Sequence, residues 1–454
     1  MPTQHLIIGN GAAGLSAAEE IRQRDRHATI TIVSDEPYPL YSRPGLAYLL
    51  TGEIPEARIF CRAPEYYSQH RFNLIHARVA SLDLARCVAN LDDSRVLFFD
   101  TLLLATGSVA VPAPFPGGTL DGVVYLDKLE NVQDILRRVK SGARAAVVVG
   151  GGITAMELAE GLAHQGLETH YLLRKKTIWS ALLTEHESQI VESHARALGI
   201  YIHYNEEIAE IISAHRCVAG VRTTGGQQIA CQIVGAAIGV RPNVTLAKQA
   251  AIKVDRGIVV NEFLESSIPG IFAAGDSAQV FDPVSGDYRV DDLWPSAIAA
   301  GRIAGANMAG ARTPYSKGAP FNAALVFGAH ITAIGQAGSG QRHGDDSNVM
   351  LQYQSRGSSE VWWARPGGPY TSAWSHSGEN SLRLVLRGNQ ITGALILGNQ
   401  DLADPLRDLI EQRVDVSPIQ AKLHGDESVI NKSIRTFWEQ WQRTRVRPHS
   451  IQSR

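Results

Sequence analysis

Two glycine-rich segments of this chain have the residue types and spacing that bind dinucleotide phosphates. In the first, HLIIGNGAAGLSAAEEIRQ, Gly9, Gly11 and Gly14 follow an apolar run and open a predicted helix. The first glycine makes the tight turn, the second lets the backbone approach a pyrophosphate, and the third lets helix and strand pack closely. The phosphates would then lie at the positive end of this helix.

A carboxylate ends the strand that follows this helix. The run TITIV is a predicted strand that leads into Ser34-Asp35-Glu36, at the spacing of about 20 residues typical of dinucleotide folds. An acidic side chain at this point accepts hydrogen bonds from a ribose. We favour Asp35 for that role, with Glu36 beside it; the alternative is a solvated turn carboxylate.

The second segment, RAAVVVGGGITAMELAEGLAHQGLETHYLLRKK, repeats the pattern. Gly150 and Gly152 are present, and Ala155 takes the third position, which the fingerprint tolerates. Its second strand, THYLL, ends in residues 174–176, Arg-Lys-Lys, rather than in a carboxylate. A cation there accommodates the 2′-phosphate of NADP, so the pattern favours NADPH. If these bases are only a solvated loop, NADH remains open.

The elements that must position these turns are two strand–turn–helix units in one chain of 454 residues, a length that predicts two to four domains. A chain with two dinucleotide folds can hold FAD and a nicotinamide face to face.

The net charge of -2 gives no attraction to nucleic acid. No run reaches the roughly 18 apolar residues of a membrane helix, and the start lacks a signal peptide, so we expect a cytoplasmic protein.

Cysteine usage excludes several kinds of site. The four cysteines, Cys61, Cys87, Cys217 and Cys231, are scattered and form no CxxC pair. Neither a disulfide scaffold nor a zinc or iron–sulfur site is indicated, and we expect no metal.

Further motifs give the chain a family resemblance. TLLLATGSVAVP at 101–112, AAIGVRPNVTLA at 236–247 and SSIPGIFAAGDSAQV at 266–280 occur in order, with YSRPGLAYLLTGEI near the start. With these motifs the chain resembles the pyridine nucleotide-disulfide oxidoreductase superfamily. The nearest likeness is to rubredoxin and ferredoxin reductases and to the flavin module of the nitrite reductase large subunit.

The resemblance implies an α/β fold with two Rossmann-like, three-layer ββα domains and a small C-terminal α/β domain. An FAD domain would comprise residues 1–112 and 240–318, and an NAD(P) domain residues 113–239. An interface domain would follow at 319–400 and a helical tail at 401–454. The implied activity is hydride transfer from NADPH or NADH to FAD, with electrons passed to a separate acceptor protein.

The resemblance also assigns residues to the cofactors. Asp276 looks like the aspartate at the ribityl-phosphate region of FAD, and Val79 matches the position whose main chain contacts the FAD adenine. Trp294 falls where the family's chain passes the isoalloxazine edge; the alternative is an ordinary core tryptophan. The FAD set is Gly9, Gly11, Ala12, Ala13, Gly14, Asp35, Glu36, Arg43, Val79, Ala105, Thr106, Gly107, Gly275, Asp276 and Trp294. The NAD(P) set is Gly150, Gly152, Ile153, Thr154, Glu157, Arg174, Lys175 and Gly239.

Glu157, Arg43 and Tyr48 are the catalytic candidates. Glu157 is similar to a glutamate at the nicotinamide–flavin junction, although a helix-surface carboxylate is the alternative. Pro44 stands where the disulfide branches carry a redox cysteine, which disfavours thiol chemistry. Tyr48 replaces the lysine of ferredoxin reductases and Val111 replaces their arginine, so Arg43 is expected to substitute in part for the missing charge near the flavin.

The last third of the sequence predicts strands, an aromatic segment and a helical tail. NAALVFGAHITAIGQAG and SLRLVLRGNQITGALILGN read as strands, the latter pair joined by a turn at 387–390. The stretch 360–375 is a lid or docking loop for the acceptor, or an insertion packed on its own domain. In the tail, Ile430, Ile434, Phe437 and Trp441 share one helical face, which predicts a docked helix or, alternatively, a contact with a partner or membrane surface.

Two other functions share these motifs. One is an oxidase that reduces oxygen directly, against which only the missing redox cysteine argues. The other is a flavin-bearing subunit of a larger complex. The C-terminal domain forms the dimer contact in the resembled proteins, so a homodimer is the default expectation.

Overall fold

The computed structural model describes residues 2–283, 285–338, 371–424 and 426–445. Residues 2–180 and 195–317 belong to one compact unit, which contains both glycine turns. Residues 181–194, 318–338, 371–424 and 426–445 belong to a second unit. No helix within these described residues is long and apolar enough to cross a membrane.

The first lobe of the first unit is built on a parallel sheet of five strands in the order β19-β7-β1-β2-β3. These strands are β1 (Gln4–Ile8), β2 (Thr29–Ser34), β3 (Phe72–His76), β7 (Thr101–Leu104) and β19 (Ile271–Ala273). A small antiparallel sheet is formed by β4 (Val79–Asp83), β5 (Val88–Leu91) and β6 (Val96–Phe98). A third sheet contains β18 (Ile258–Val259), β20 (Ala278–Asp282) and β21 (Asp287–Arg289).

The helices of the first lobe cover this parallel sheet. They are α1 (Ala12–Arg24), α2 (Gly45–Thr51), α3 (Glu65–Gln69), α7 (Thr245–Gln249) and α8 (Trp294–Met308). α1 and α8 pack closely because Gly301 and Gly305 face α1; a Cβ on Gly301 would lie 2.2 Å from the Ala13 carbonyl oxygen. The apolar side chains of β1, β2 and β7 form the buried core of this lobe.

The second lobe repeats the architecture with a parallel sheet in the order β12-β11-β10-β16-β9. Its strands are β9 (Val123–Val124), β10 (Ala145–Val149), β11 (Glu168–Leu173), β12 (Tyr201–Tyr204) and β16 (Ile233–Ala236). A meander of β13 (Ile208–Ala214), β14 (Cys217–Thr223) and β15 (Gln228–Ala230) packs on one face. The helices are α4 (Leu129–Lys140) and α5 (Ile153–His164). The next helix, α6 (Glu185–Ala197), has its residues 185–194 in the second unit. A two-stranded sheet of β8 (Ser108–Ala110) and β17 (Val240–Pro242) marks the crossing between the lobes.

The second unit contains an antiparallel sheet in the order β22-β23-β26-β25-β24. Its strands are β22 (Phe321–Val326), β23 (Ala329–Gly335), β24 (Thr371–Ser377), β25 (Asn380–Arg387) and β26 (Gln390–Leu397). The predicted turn at 387–390 is confirmed, because Arg387 pairs with Gln390. The helices α9 (Ala403–Glu411) and α10 (Glu427–Arg445) follow the sheet in sequence.

The tail packs on this sheet as the predicted docked helix. Ile430 and Ile434 are fully buried in a cluster with Leu384 and Ile396 of the sheet, and Phe437 packs against it. Trp438 adds a hydrogen bond from its indole nitrogen to Asp408, at 2.8 Å. The sheet strands and the tail helices therefore share one hydrophobic core.

The fold class predicted from the sequence is confirmed: two parallel α/β layers and a smaller C-terminal unit. Most of the aromatic stretch at 360–375, including Trp362, Trp363 and Tyr370, lies outside the described residues. The lid or docking role expected for that stretch stays a prediction.

Candidate functional site

The first glycine turn joins β1 to α1 in a conformation that a side chain would not permit. Gly9 has a φ of +114°, and a Cβ on it would lie 2.1 Å from the carbonyl oxygen of Ala105. A Cβ on Gly14 would lie 1.9 Å from the Gly9 carbonyl oxygen. Gly11 differs, because a Cβ there would meet nothing within 4 Å. The turn is therefore closed on two sides and open at Gly11, the position expected to face a pyrophosphate.

The other segments assigned to FAD meet at the same edge of the sheet. The backbone N–H of Ala105, directly after β7, donates to the carbonyl of Ile8 at the end of β1. A short 3₁₀ turn, Gly275–Ser277, follows β19, and a Cβ on Gly275 would approach the Ala13 side chain to 3.0 Å. The Ser108 hydroxyl donates to Asp276 at 2.7 Å. Three stretches far apart in sequence, at residues 8–14, 105–108 and 275–277, thus meet at one glycine turn.

The two carboxylates after β2 lie in different surroundings. The Asp35 side chain is 60% exposed and lies 3.7 Å from the ammonium of Lys128. Glu36 is buried, accepts the Tyr41 hydroxyl at 2.5 Å and forms an ion pair with Arg43. Burial would raise the pKa of Glu36, but the Arg43 guanidinium and the Tyr41 hydroxyl outweigh it and hold that pKa below its ordinary value. Glu36 is ionised at neutral pH, and Asp35 is the more accessible carboxylate.

Arg43 is committed to a network that links the two lobes. One guanidinium nitrogen donates to the carbonyl of Asp127 at 2.5 Å, and the guanidinium lies over the Tyr41 ring at 5.2 Å. The Tyr41 hydroxyl accepts the backbone N–H of Leu129, the first residue of α4, at 3.2 Å. Sequence reasoning missed Tyr41 and Asp127, although Tyr41 stands in the same YSRP motif as Arg43.

The start of α2 carries no thiol. Pro44 is the N-cap of this helix, and the half-buried Tyr48 lies in its middle. All four cysteines lie among the described residues and are free thiols. Burial raises the pKa of Cys61 above its ordinary value and that of Cys231 to about 12. These two thiols are therefore protonated, and poorly nucleophilic, at neutral pH.

The second glycine turn repeats the first at the start of α5. Gly150 has a φ of +146°, and a Cβ on it would lie 2.1 Å from the Ala237 carbonyl oxygen. Gly152 is the N-cap of the helix, and Ile153 and Thr154 are its first two residues. The hydroxyl oxygen of Thr154 is buried and has no hydrogen-bond partner within the described structure. An orphaned hydroxyl at a helix N-terminus fits a ligand with acceptor oxygens, such as a pyrophosphate.

Glu157 lies one turn further along α5. The residue as a whole is half-buried, and desolvation of its carboxyl together with the nearby Glu160 carboxylate raises its pKa to about 8. Glu157 is therefore mostly neutral at pH 7. A raised carboxyl pKa beside a nucleotide site is typical of functional positions, although structural pairs show it as well.

The pH dependence of nucleotide binding follows from this carboxyl. We expect KM for NAD(P)H to rise roughly fivefold between pH 7 and pH 9.5, because ionised Glu157 adds a negative charge near an anionic ligand. Glu157→Gln cannot ionise and should remove that rise. Flavin reduction measured by stopped flow across this range tests it, and an equal rise in the variant would show that another group titrates.

The remaining assigned residues lie on other elements of the first unit. Arg174 and Lys175 follow β11 at the carboxyl end of its sheet, with Arg174 exposed. Gly239, with a φ of +122°, accepts the Val111 N–H at the crossing. Val79 is buried at the start of β4, and Trp294 begins α8, partly buried against the core of the first lobe.

No group of three or more His, Cys, Asp or Glu side chains in the described part of the chain could hold a metal ion. The two glycine turns each lie at the carboxyl edge of a parallel sheet. This edge is where open α/β sheets bind nucleotides.

Comparison with known proteins identifies the family. A family model described as pyridine nucleotide-disulphide oxidoreductase matches residues 3–301. The chain is 27% identical over 417 residues to the nitrite reductase (NAD(P)H) of Bacillus subtilis strain 168, covering 91% of this chain and 48% of that protein. It is 30% identical over 319 residues to the NADH oxidase of Methanocaldococcus jannaschii, covering 68% of this chain and 71% of that protein.

A solved structure shows the same fold. The covalent putidaredoxin reductase–putidaredoxin complex superposes with a TM-score of 0.82 at 23% identity, covering 96% of this chain and 99% of the matched one. The chain spans about half the length of the nitrite reductase that it matches, and over two thirds of the NADH oxidase. The chain belongs to the pyridine nucleotide-disulphide oxidoreductase family.

Proposed function

We propose that this chain is an electron-transfer reductase. It takes reducing equivalents from NAD(P)H, uses FAD as its prosthetic group and delivers electrons to a separate protein of the rubredoxin, ferredoxin or nitrite-reductase type. The observation that carries the proposal is the pair of glycine turns in one compact unit, with Pro44 rather than a cysteine at the start of α2. When bound, FAD supplies the step from two-electron to one-electron transfer.

The first lobe has the groups that would hold FAD. The N-terminus of α1 and the open side of Gly11 suit the pyrophosphate, and Asp35 or Glu36 suits the adenosine ribose. By resemblance, Asp276 serves the ribityl-phosphate region. The other proposed contacts are Gly9, Ala12, Ala13, Gly14, Arg43, Val79, Ala105, Thr106, Gly107, Gly275 and Trp294. Tyr48 stays a catalytic candidate by resemblance.

The second lobe would hold the nicotinamide nucleotide. The N-terminus of α5 and the Thr154 hydroxyl suit its pyrophosphate. By resemblance, Glu157 would lie near the junction of nicotinamide and flavin. Arg174 and Lys175 suit a 2′-phosphate, which supports NADPH as one donor. The remaining proposed contacts are Gly150, Gly152, Ile153 and Gly239. The residues of the chain orient the nucleotide and exclude water, because hydride transfer itself needs no general acid or base.

The cysteines support electron delivery over thiol chemistry. Cys61 is the nearest cysteine to α2 in sequence, 17 residues beyond Pro44, and its thiol is held protonated by burial. A thiol–disulfide relay requires a thiolate that is accessible to the flavin. We therefore exclude a relay from the proposal.

Reduction of the bound flavin by each nucleotide tests this function. FAD-loaded protein mixed with excess NADPH or NADH should lose its absorbance near 450 nm within seconds, on the order of typical turnover times. Reduced protein should then be reoxidised by added rubredoxin or ferredoxin faster than by dissolved oxygen. A flavin that neither nucleotide bleaches would contradict the proposal.

An oxidase is the second candidate, favoured by the 30% identity to an NADH oxidase. It would consume oxygen at full turnover without any added carrier, which separates it from the reductase.

A third candidate, a flavin-bearing subunit, is favoured by the match to about half of a nitrite reductase. That role would give a stable stoichiometric complex with negligible turnover of the isolated chain.

We also propose the domain boundaries that the sequence predicts. Residues 1–112 with 240–318 would form the FAD domain, and residues 113–239 the NAD(P) domain. The C-terminal region would provide the contact for a homodimer or for a larger complex.

A further inference from the structure

A carboxylate opposes the cationic loop that follows β11. The Nε atom of Arg174 lies 3.8 Å from a carboxylate oxygen of Glu207, and both side chains are about half exposed. Glu207 directly precedes β13, on the loop after β12. Since β11 and β12 are parallel neighbours, both loops emerge at the same edge of the sheet. The positive charge available to a nucleotide at this edge is therefore partly neutralised.

Backbone hydrogen bonds hold Glu207 in this place. The N–H of Glu206 donates to the carbonyl of Leu173, the last residue of β11, at 3.0 Å. Glu207 donates its own N–H to the Thr224 hydroxyl at 3.2 Å and accepts the Thr224 N–H at 2.9 Å. The position of Glu207 beside Arg174 thus depends on main-chain contacts that a change of its side chain would leave in place.

We propose that Glu207 sets the preference of this protein between NADH and NADPH. The inference rests on the proposed function, in which the loop after β11 meets the adenosine ribose. A 2′-phosphate must compete with Glu207 for Arg174 and is repelled by its charge, whereas a 2′-hydroxyl is not. Glu207 therefore restrains the NADPH preference that the three bases at 174–176 would otherwise produce.

The ratio of kcat/KM for NADPH to that for NADH is the quantity to measure. Glu207→Gln in the FAD-loaded full chain should raise this ratio by roughly five- to tenfold at low ionic strength, mainly through a lower KM for NADPH. This rise in the ratio should be smaller at about 0.5 M salt, because Arg174 and Glu207 are exposed and salt screens their charges. Arg174→Gln should lower the ratio.

Glu206→Gln is the matched control. It removes the same charge one residue away, but the Glu206 carboxylate accepts the Gly225 N–H at 3.0 Å and the Thr224 hydroxyl at 3.2 Å, and no ion pair joins it to Arg174 in the described structure. We expect the ratio of kcat/KM for NADPH to that for NADH in this variant to stay within about twofold of the parent, because the charge removed lies farther from the nucleotide and is screened. An unchanged ratio in Glu207→Gln, or an equal change in both variants, overturns the inference. If neither nucleotide reduces the parent flavin, the proposed function has failed instead.

Discussion

Replacing Gly9 by alanine is expected to give a protein that does not retain FAD. The alanine Cβ would lie 2.1 Å from the carbonyl oxygen and 2.7 Å from the carbonyl carbon of Ala105, so the backbone itself must move. Its φ of +114° adds strain, because L-residues avoid that region at a cost of about 1–2 kcal/mol. Ala105 belongs to the same proposed cofactor edge, so the shift would displace two contacts together. We expect FAD affinity to fall at least about a hundredfold.

Flavin absorbance per protein after gel filtration, and FAD titration of the stripped chain, would measure this loss. Gly199→Ala is the control for strain alone, since Gly199 has a φ of +78° but its Cβ would meet nothing within 4 Å. It should keep its flavin. Full flavin content in Gly9→Ala would contradict the placement of the pyrophosphate at this turn.

Gly11→Ala separates cofactor contact from folding. Gly11 has a φ of -92°, which alanine adopts freely, and the added methyl meets no protein atom within 4 Å. The stripped variant should therefore unfold at the same denaturant concentration as the stripped parent. Its FAD affinity should still fall at least about tenfold, because the methyl enters the space expected for the pyrophosphate. Unchanged affinity would mean that the phosphates lie elsewhere.

The glycine turns could be predicted from sequence because each turn is formed by residues that are close together in the chain. Gly9, Gly11 and Gly14 lie within six residues, and their meaning depends on the strand before and the helix after. The hairpin turn at 387–390 and the apolar face of the tail helix are local in the same sense. The structure confirms these elements, because hydrophobic period and turn chemistry act over short stretches.

The network around Glu36 could not be predicted in that way. Arg43 donates to a carbonyl 84 residues later in the chain, and Tyr41 accepts an N–H 88 residues later. No spacing rule connects such positions, since their meeting depends on how two lobes pack. The sequence indicated that Arg43 mattered and that a carboxylate ended β2. It did not indicate that Glu36 and Arg43 would be committed to each other, leaving Asp35 exposed.

Arg383 is the clearest case of a residue whose role is hidden in its sequence context. It stands inside the apolar run SLRLVL on β25, where alternation would place an inward-facing hydrophobic residue. The structure buries it completely. A buried arginine requires partners for its donors, and the partners that Arg383 finds are 45 or more residues away in sequence.

The partners come from two distant segments of the second unit. Arg383 forms a two-point ion pair with Glu187, at 2.9 and 3.3 Å, and donates to the carbonyl of Leu182 at 2.6 Å. It also donates to the carbonyls of Ala337 and Gly338, each at 2.8 Å. One guanidinium thus fixes the end of a strand and the start of α6 against the sheet.

Breaking this pair from one side should strongly destabilise the second unit. Arg383→Met leaves the Glu187 carboxylate buried without its cation and three carbonyls without their donor, at an expected cost of about 3–5 kcal/mol. For a unit of this size that lowers Tm by roughly 10 °C, measurable by calorimetry.

Arg387→Met, on the exposed end of the same strand, is the control and should change Tm by no more than about 2 °C. The double variant Arg383→Met/Glu187→Gln should recover part of the loss, because it removes the unpaired charge. A double variant no more stable than Arg383→Met would show that the unpaired Glu187 charge is not a source of the loss.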